Sequence, residues 1–221
     1  MKLYRFPGRS SGSGGARKLF VGGLHGDEGL YTAPILETLA SEVEEAEVGD
    51  NNGDLIIVPS LTMGGRYIGV LSEEYYRSRE GMILTGLIKR YKPSFYFELH
   101  AYGESSYHRL TNPEREKREG VPPFVDLDDH EHTHNHILLG SIAPVLRELF
   151  SAGDFCLTIE LPKRRSDEEG VREEVMQILR IGLLSETKRE MLTQLRKMYP
   201  DALKRAEALF IQYYHSRLEP F

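Results

Sequence analysis

The sequence has a single cysteine, Cys156, among its 221 residues. No disulfide can form within the chain, and such scarcity is typical of proteins in a reducing cytoplasm, where we expect this protein to be. Cys156 lies in the apolar run Phe-Cys-Leu-Thr-Ile, which favours a small buried side chain. It has no histidine nearby in the sequence, so a cysteine hydrolase is disfavoured.

Long hydrophobic segments are also absent. No run of about 18 apolar residues occurs, so we expect no membrane-spanning helix. The N-terminus has no long apolar stretch, and we expect no signal peptide there. Acidic residues number 34 against 28 basic ones, and the net charge of −6 disfavours nucleic acid or an anionic membrane surface as a partner.

Short apolar runs alternate with helical patterns along the chain. This alternation predicts an α/β sheet with helices on both faces. Because no internal repeat and no clear linker occur, we expect a single domain over residues 1–221, with an α/β core at 1–170 and a helical extension at 171–221. The polar stretch Gly103–Asp129 is predicted to be surface loop, and Ile137–Phe150 is predicted to be largely helical. The predicted strands are Leu19–Val21, Leu55–Val58, Phe95–Leu99 and Phe155–Leu161.

Candidate metal ligands follow two of these strands. His25 and Glu28 lie three residues apart in the turn after the first strand, and His100 directly follows Phe95–Leu99. Ligands gather at the carboxyl ends of the strands in α/β folds. A catalytic zinc ion takes three protein ligands and keeps one position for water, which makes His100 the best third ligand. The competing interpretation makes His25 a polar turn residue and His100 a strand-end histidine with ordinary hydrogen bonds.

Four motifs occur in order between Leu19 and Leu161: Gly22-Gly-Leu-His-Gly-Asp-Glu, Gly64-Gly-Arg-Tyr-Ile, Glu98-Leu-His-Ala-Tyr-Gly-Glu-Ser-Ser-Tyr-His108 and Leu157-Thr-Ile-Glu-Leu. Together they resemble the zinc metallocarboxypeptidase superfamily. The closer match is its succinylglutamate desuccinylase/aspartoacylase branch, in the form of small microbial, archaeal relatives. The resemblance implies a three-layer α/β/α, zinc carboxypeptidase-like fold with a mixed, mostly parallel central sheet. It also implies one zinc ion, held by His25, Glu28 and His100.

The same resemblance implies that Glu160 is the general base and acid. Glu160 closes an apolar strand, which favours partial burial and a tuned pKa. A carboxylate there can take a proton from water and return it to a leaving amine. The alternative is a strand-end residue in an ion pair with Lys163 or Arg164. Glu98 shares a strand face with His100 and can accept its second ring N–H, although the family usually has aspartate at that place.

Substrate binding is assigned to arginines, because a guanidinium holds a carboxylate with two parallel hydrogen bonds. Arg66 lies where the resembling enzymes have an arginine that binds the substrate or its carbonyl, so it is assigned to both catalysis and binding. Arg77 is the choice for a second arginine, with Arg79 or a solvated helix face as the alternatives. The family's asparagine beside this arginine is absent. His108 matches the second histidine of the family pattern and either touches the substrate or stabilises its loop.

A histidine-rich run, His130-Glu-His-Thr-His-Asn-His136, has a histidine at every second position. Its members are candidates for a second metal site or for a flap over the active site, and a polar surface loop is the alternative. The four histidines are His130, His132, His134 and His136.

The motifs together predict a zinc-dependent hydrolase. It would cleave an amide bond in a small-molecule or short-peptide substrate that bears a carboxylate, as an N-acyl amino acid deacylase or a carboxypeptidase does. The alternative is a non-catalytic metal-binding or sensing protein on the same fold.

Overall fold

A computed structural model describes residues 1–8, 15–45, 53–62, 64–128, 135–214 and 221. The strands are β1 Tyr4–Phe6, β2 Lys18–Gly22, β3 Leu55–Val58, β4 Phe95–Tyr102, β5 Val125–Asp126, β6 Leu138–Gly140 and β7 Phe155–Pro162. The helices are α1 Gly29–Glu45, α2 Glu73–Arg77, α3 Arg79–Tyr91, α4 Glu104–Thr111, α5 Arg115–Glu119, α6 Pro144–Arg147, α7 Glu169–Leu184, α8 Lys188–Met198 and α9 Pro200–Tyr214. Within the described ranges, the strands form one seven-stranded sheet.

The sheet has the order β1-β3-β2-β4-β7-β6-β5. The four central strands β3, β2, β4 and β7 are parallel, whereas β1 at one edge and β6 and β5 at the other are antiparallel to their neighbours. The expected α/β fold with a mixed, mostly parallel sheet is therefore confirmed. The chain leaves β2 for β3 on one side and then crosses to β4 on the other, so a crevice opens between the carboxyl ends of β2 and β4.

Helices cover both faces of the sheet. Alternate strand residues face opposite sides. Phe20 and Phe97 pack in the layer that contains α1, α7, α8 and α9. Leu19, Tyr96 and Cys156 pack in the opposite layer with α2 and α3. Burial on both faces explains why the central strands read as continuous apolar runs in the sequence.

Two sequence predictions for the middle of the chain are wrong. The stretch Gly103–Asp129 contains α4, α5 and β5 among its described residues instead of loop alone. The stretch Ile137–Phe150 contains strand β6 and a single helical turn, α6. Pairing of β6 with the buried strand β7 overrides the local helical pattern, because tertiary contacts outweigh weak intrinsic propensities. Among the described helices, none has the length and hydrophobicity needed to cross a bilayer.

Candidate functional site

The turn after β2 presents His25 and Glu28 at the carboxyl edge of the sheet. Gly23 and Gly26 lie close to His25 in the chain and have φ values of 54° and 56°, in the left-handed region that favours glycine. A Cβ atom at Gly23 would also overlap the side chain of Ser60, the residue that follows Pro59 after β3. The glycines therefore allow the chain to reverse tightly and to begin α1 directly beside the crevice.

His25, Glu28 and His100 form a buried cluster whose candidate ligand atoms all lie within 4.8 Å of one another. Glu28 Oε2 is 3.5 Å from His25 Nδ1 and 3.1 Å from His100 Nδ1. Ligand atoms about 2.0–2.1 Å from a tetrahedral zinc ion lie roughly 3.4 Å apart. His25 Nδ1 is also shielded from solvent without a hydrogen-bond partner among the described residues. An unpaired buried polar atom is costly, so the three residues fit a single tetrahedral metal ion.

Glu98 lies behind His100, on the side away from the cluster. Its Oε1 is 3.5 Å from His100 Nε2. The carboxylate is buried and accepts hydrogen bonds from the Tyr96 hydroxyl at 2.8 Å and from the Thr158 hydroxyl at 2.7 Å. Burial alone would raise the pKa of Glu98, but the contacts with His100, Thr158 and Tyr96 hold it below its usual value. A charged Glu98 therefore faces the outer ring nitrogen of His100.

The two histidines differ in their protonation. Burial lowers the pKa of His25 to about 4, so its ring is neutral at pH 7 and has a lone pair for a metal. Burial also disfavours charge on His100, but the carboxylates of Glu28 and Glu98 raise its pKa well above the ordinary value. A metal ion in the cluster would take the place of the His100 proton, since a ligating imidazole must be neutral.

Glu160 is the strand neighbour of His100. The two residues pair in the register of β4 and β7, so their side chains leave the sheet on the same face at its carboxyl edge. Burial raises the pKa of Glu160 to about 7, and the charge of His100 opposes part of this increase. A carboxylate with such a pKa can exchange protons near neutral pH.

The cations that follow β7 are paired with residues other than Glu160. Lys163 Nζ contacts Asp27 Oδ1 at 2.5 Å, and Arg164 contacts Glu104 at 2.9 Å. Lys163 thereby balances the charge of Asp27, a carboxylate in the turn after β2. Among the described residues, the side chain of Glu160 has neither a hydrogen bond nor an ion pair, and Glu160 lines the cavity above the cluster.

The arginines predicted to bind substrate lie on the surface, outside the cavity lining. The Arg66 side chain is 78% exposed and contacts Glu74 at 3.3 Å. Arg77 is 79% exposed and contacts Glu73 at 3.1 Å, one helical turn away in α2. His108 is exposed as well, and its ring packs against its chain neighbour. The substrate-binding roles of these residues, and the catalytic role of Arg66, stay predictions.

The cavity above the cluster has a volume of about 520 Å³. Sequence reasoning missed three charged residues in its wall, which are Arg109 of α4 and Arg115 and Glu119 of α5. Arg109 contacts Glu119 at 2.6 Å, and Arg115 contacts it at 2.8 Å. In the sequence, the i,i+4 pair Arg115–Glu119 followed by Gly120 indicates a short helix that ends at a glycine, and Gly120 does adopt a left-handed φ of 72°. The local sequence does not predict, however, that this helix packs beside the cluster of His25, Glu28 and His100.

Only His136 of the histidine-rich run lies within the described residues; His130, His132 and His134 lie outside them. His136 Nδ1 is 3.0 Å from Asp126 Oδ2 and 3.0 Å from Asp128 Oδ2. Candidate ligand atoms of these three residues lie within 4.8 Å of one another. The same carboxylates accept hydrogen bonds from the Tyr107 hydroxyl and from the His136 backbone N–H. An ion pair that fixes the chain therefore explains the cluster as well as a metal would, and the second metal stays a prediction.

Comparison with known proteins relates the chain to an archaeal group. The family model described as "Uncharacterized protein conserved in archaea (DUF2119)" matches residues 13–215. An uncharacterized protein of Methanocaldococcus jannaschii is 41% identical over 207 residues, which are 94% of this chain and 93% of that protein. Archaeal relatives, as expected from the sequence, are thus found.

Two solved structures are similar to the chain at 14% sequence identity and a TM-score of 0.44 each. One is an aspartoacylase family protein from Mesorhizobium loti, and the alignment covers 84% of this chain and 62% of that one. The other is a metallo-carboxypeptidase from Pseudomonas aeruginosa in complex with (2-guanidinoethylmercapto)succinic acid, with 89% and 61% covered. The chain spans less than two thirds of the length of either solved protein.

Proposed function

This chain belongs to the family of proteins conserved in archaea designated DUF2119, and for it we propose the function of a zinc-dependent hydrolase. The proposed reaction is cleavage of an amide bond in a small molecule or short peptide that bears a carboxylate. One juxtaposition carries the proposal. The buried cluster of His25, Glu28 and His100 adjoins the carboxylate of Glu160, which has no hydrogen-bond or ion-pair partner among the described residues.

The residues divide the chemistry between them. Zinc held by His25, Glu28 and His100 would act as a Lewis acid and would lower the pKa of water. Glu160 accepts a proton from the attacking water and gives it to the nitrogen of the leaving amine, a cycle that its pKa of about 7 supports. The charge of Glu98, 3.5 Å from His100 Nε2, favours a proton on that nitrogen, which leaves the Nδ1 lone pair for the metal. A cavity of about 520 Å³ suits a small molecule or the end of a peptide.

The test combines metal analysis with a substrate screen. Protein purified without chelators is expected to contain about one zinc ion per chain, which His100→Ala should lose because a tetrahedral site needs its third ligand. A panel of N-acyl amino acids and short peptides identifies the substrate. Glu160→Gln is expected to retain zinc and to lose activity by about 10²–10⁴-fold, the usual contribution of a general base. Glu168→Gln, at an exposed glutamate outside the cavity, is the matched control.

Two outcomes contradict parts of the proposal, and a third extends it. Wild-type protein without metal would exclude the zinc site. Unchanged hydrolysis by Glu160→Gln would remove Glu160 from the reaction. A second equivalent of metal that disappears in His136→Ala would instead extend the proposal, by assigning a metal to the cluster of His136 with Asp126 and Asp128.

The second candidate function is non-catalytic metal binding or sensing. The surface positions of Arg66 and Arg77 favour it, because neither arginine lines the cavity where a substrate would react. Such a protein would bind zinc with the same ligands but would hydrolyse nothing in the panel.

A further inference from the structure

Arg115 is a buried cation with a fixed orientation in the cavity wall. The residue is 8% exposed and begins α5. Its Nε donates to Glu119 Oε2 at 2.8 Å, and its Nη1 donates to the Pro122 carbonyl at 3.1 Å. The guanidinium carbon also lies 4.6 Å from the centre of the Phe124 ring. Contacts on three sides leave the side chain little freedom to turn away from the cavity.

The remaining nitrogen of this guanidinium, Nη2, faces the cavity. It has no hydrogen bond to any described residue. It is also not among the described polar atoms that are sealed from solvent, and Arg115 lines the cavity. An arginine stays protonated at neutral pH. Solvent reaches this N–H, so an anion in the cavity can take the place of water there and accept a charge-assisted hydrogen bond from it.

The carboxylate of Glu119 does not neutralise this part of the wall, because two guanidinium groups share it. Arg109 Nη1 contacts Oε1 at 2.6 Å, and Arg115 Nε contacts Oε2 at 2.8 Å. Two positive charges and one negative charge leave a net charge of +1. Lys163, also in the cavity lining, is paired with Asp27, and His100 lies between the carboxylates of Glu28 and Glu98. Among the described residues that line the cavity, the uncompensated positive charge therefore belongs to Arg109 and Arg115.

We propose that Arg115, with Arg109 beside it and Glu119 holding both, binds the carboxylate of the substrate. This inference rests on the proposed hydrolase function and deepens it, because it assigns the carboxylate to α4 and α5 instead of to Arg66 or Arg77. Arg115 and Glu160 line the same cavity, so a substrate anchored at Arg115 occupies the cavity that contains the proposed base. The planar fork of arginine is needed, since lysine cannot hold Glu119 and a second carboxylate in the same plane.

Succinate binding, measured by calorimetry, tests this carboxylate site, called the anchor below, without any need for turnover. Neutral succinamide and inorganic phosphate are the comparison ligands, and zinc-loaded and zinc-free protein separate binding at arginine from binding at the metal. Arg115→Lys and Arg109→Gln are each expected to weaken succinate binding about ten-fold or more in both forms, the loss expected for a charge-assisted hydrogen bond. The matched control is Arg118→Gln, because Arg118 lies in the same helix but is exposed, pairs with Glu114 and lies outside the cavity lining. It should bind succinate as the wild type does.

Several results would overturn the anchor. These are succinate binding no tighter than succinamide binding, tighter binding of phosphate than of succinate, and arginine variants that behave like Arg118→Gln. A larger loss in Arg66→Gln or Arg77→Gln would move the anchor to that residue. Thermal unfolding checks each variant, and the surface-accessible Arg109 keeps the test decisive if changes at buried Arg115 prevent folding. If binding depends on Arg115 but the panel shows no hydrolysis, the anchor stands and the proposed function fails.

Discussion

Replacing Glu98 with glutamine tests whether the buried carboxylate behind His100 prepares the cluster for a metal. The change keeps the shape of the side chain but removes the negative charge 3.5 Å from His100 Nε2. When zinc has displaced the proton from Nδ1, the carboxylate favours the remaining proton on Nε2, and the Nδ1 lone pair is directed at the metal. A neutral amide holds that proton less strongly, so the tautomer that can bind metal is less favoured.

The expected effect on zinc affinity is about 10–100-fold, the usual loss when an outer partner of a ligating histidine is changed, which equals about 1.4–2.8 kcal/mol. Folding should suffer less, because the glutamine oxygen can still accept a hydrogen bond from Tyr96 or Thr158. Glu98→Ala differs in this respect. It leaves both hydroxyls unpaired in the core, at a cost of about 1–3 kcal/mol each in the free energy of unfolding.

Chelator competition measures the zinc affinity, and denaturant unfolding of the zinc-free protein measures stability. Thr158→Val is the matched control, because it removes the hydrogen bond of 2.7 Å to the same carboxylate but leaves the charge beside His100. This variant should lose stability and change zinc affinity by less than about three-fold, since only the partner of the carboxylate is altered. The same zinc dissociation constant for Glu98→Gln and wild type would refute the assignment of Glu98.

Two further predictions concern protonation. The pKa of His100, raised by Glu28 and Glu98, keeps its ring charged at pH 7 without metal, so zinc binding should release about one proton and should tighten as the pH rises towards that pKa. Calorimetry in buffers of different ionisation enthalpy measures the release, and identical heats would contradict it. Burial raises the pKa of the Cys156 thiol to about 12, so iodoacetamide at pH 8 should alkylate it only after unfolding. Mass spectrometry detects the adduct, and rapid alkylation of the folded protein would contradict the burial of Cys156.

The central strands could be predicted because burial on both faces leaves a local signal. Leu55–Val58 and Phe155–Leu161 are continuous apolar runs, and parallel strands need them to be so. The short strand β6, which lies between β7 and the edge strand β5, gave no such signal. Leu138–Gly140 becomes a strand because it pairs with β7, and that pairing partner lies about twenty residues away in the chain.

The grouping of the candidate metal ligands could be predicted from the sequence for a topological reason. Residues that end neighbouring parallel strands must meet at one edge of the sheet, so His25, Glu28, His100 and Glu160 could be grouped before any coordinates were known. Strand order does not predict the positions of residues in helices that pack over that edge. The position of such a helix depends on packing between distant segments.

The sequence by itself therefore determined the α/β fold class and the grouping of strand-end residues, because strand periodicity and parallel order are local or topological properties. Only the tertiary structure decided which cations face the cavity. Arg66 is matched by a motif yet pairs with Glu74 on the surface, whereas Arg115 belongs to no motif and lies buried beside Phe124. The sequence shows which residues are charged. Where their side chains point and which residues they contact depend on how α4 and α5 pack over the carboxyl edge of the sheet.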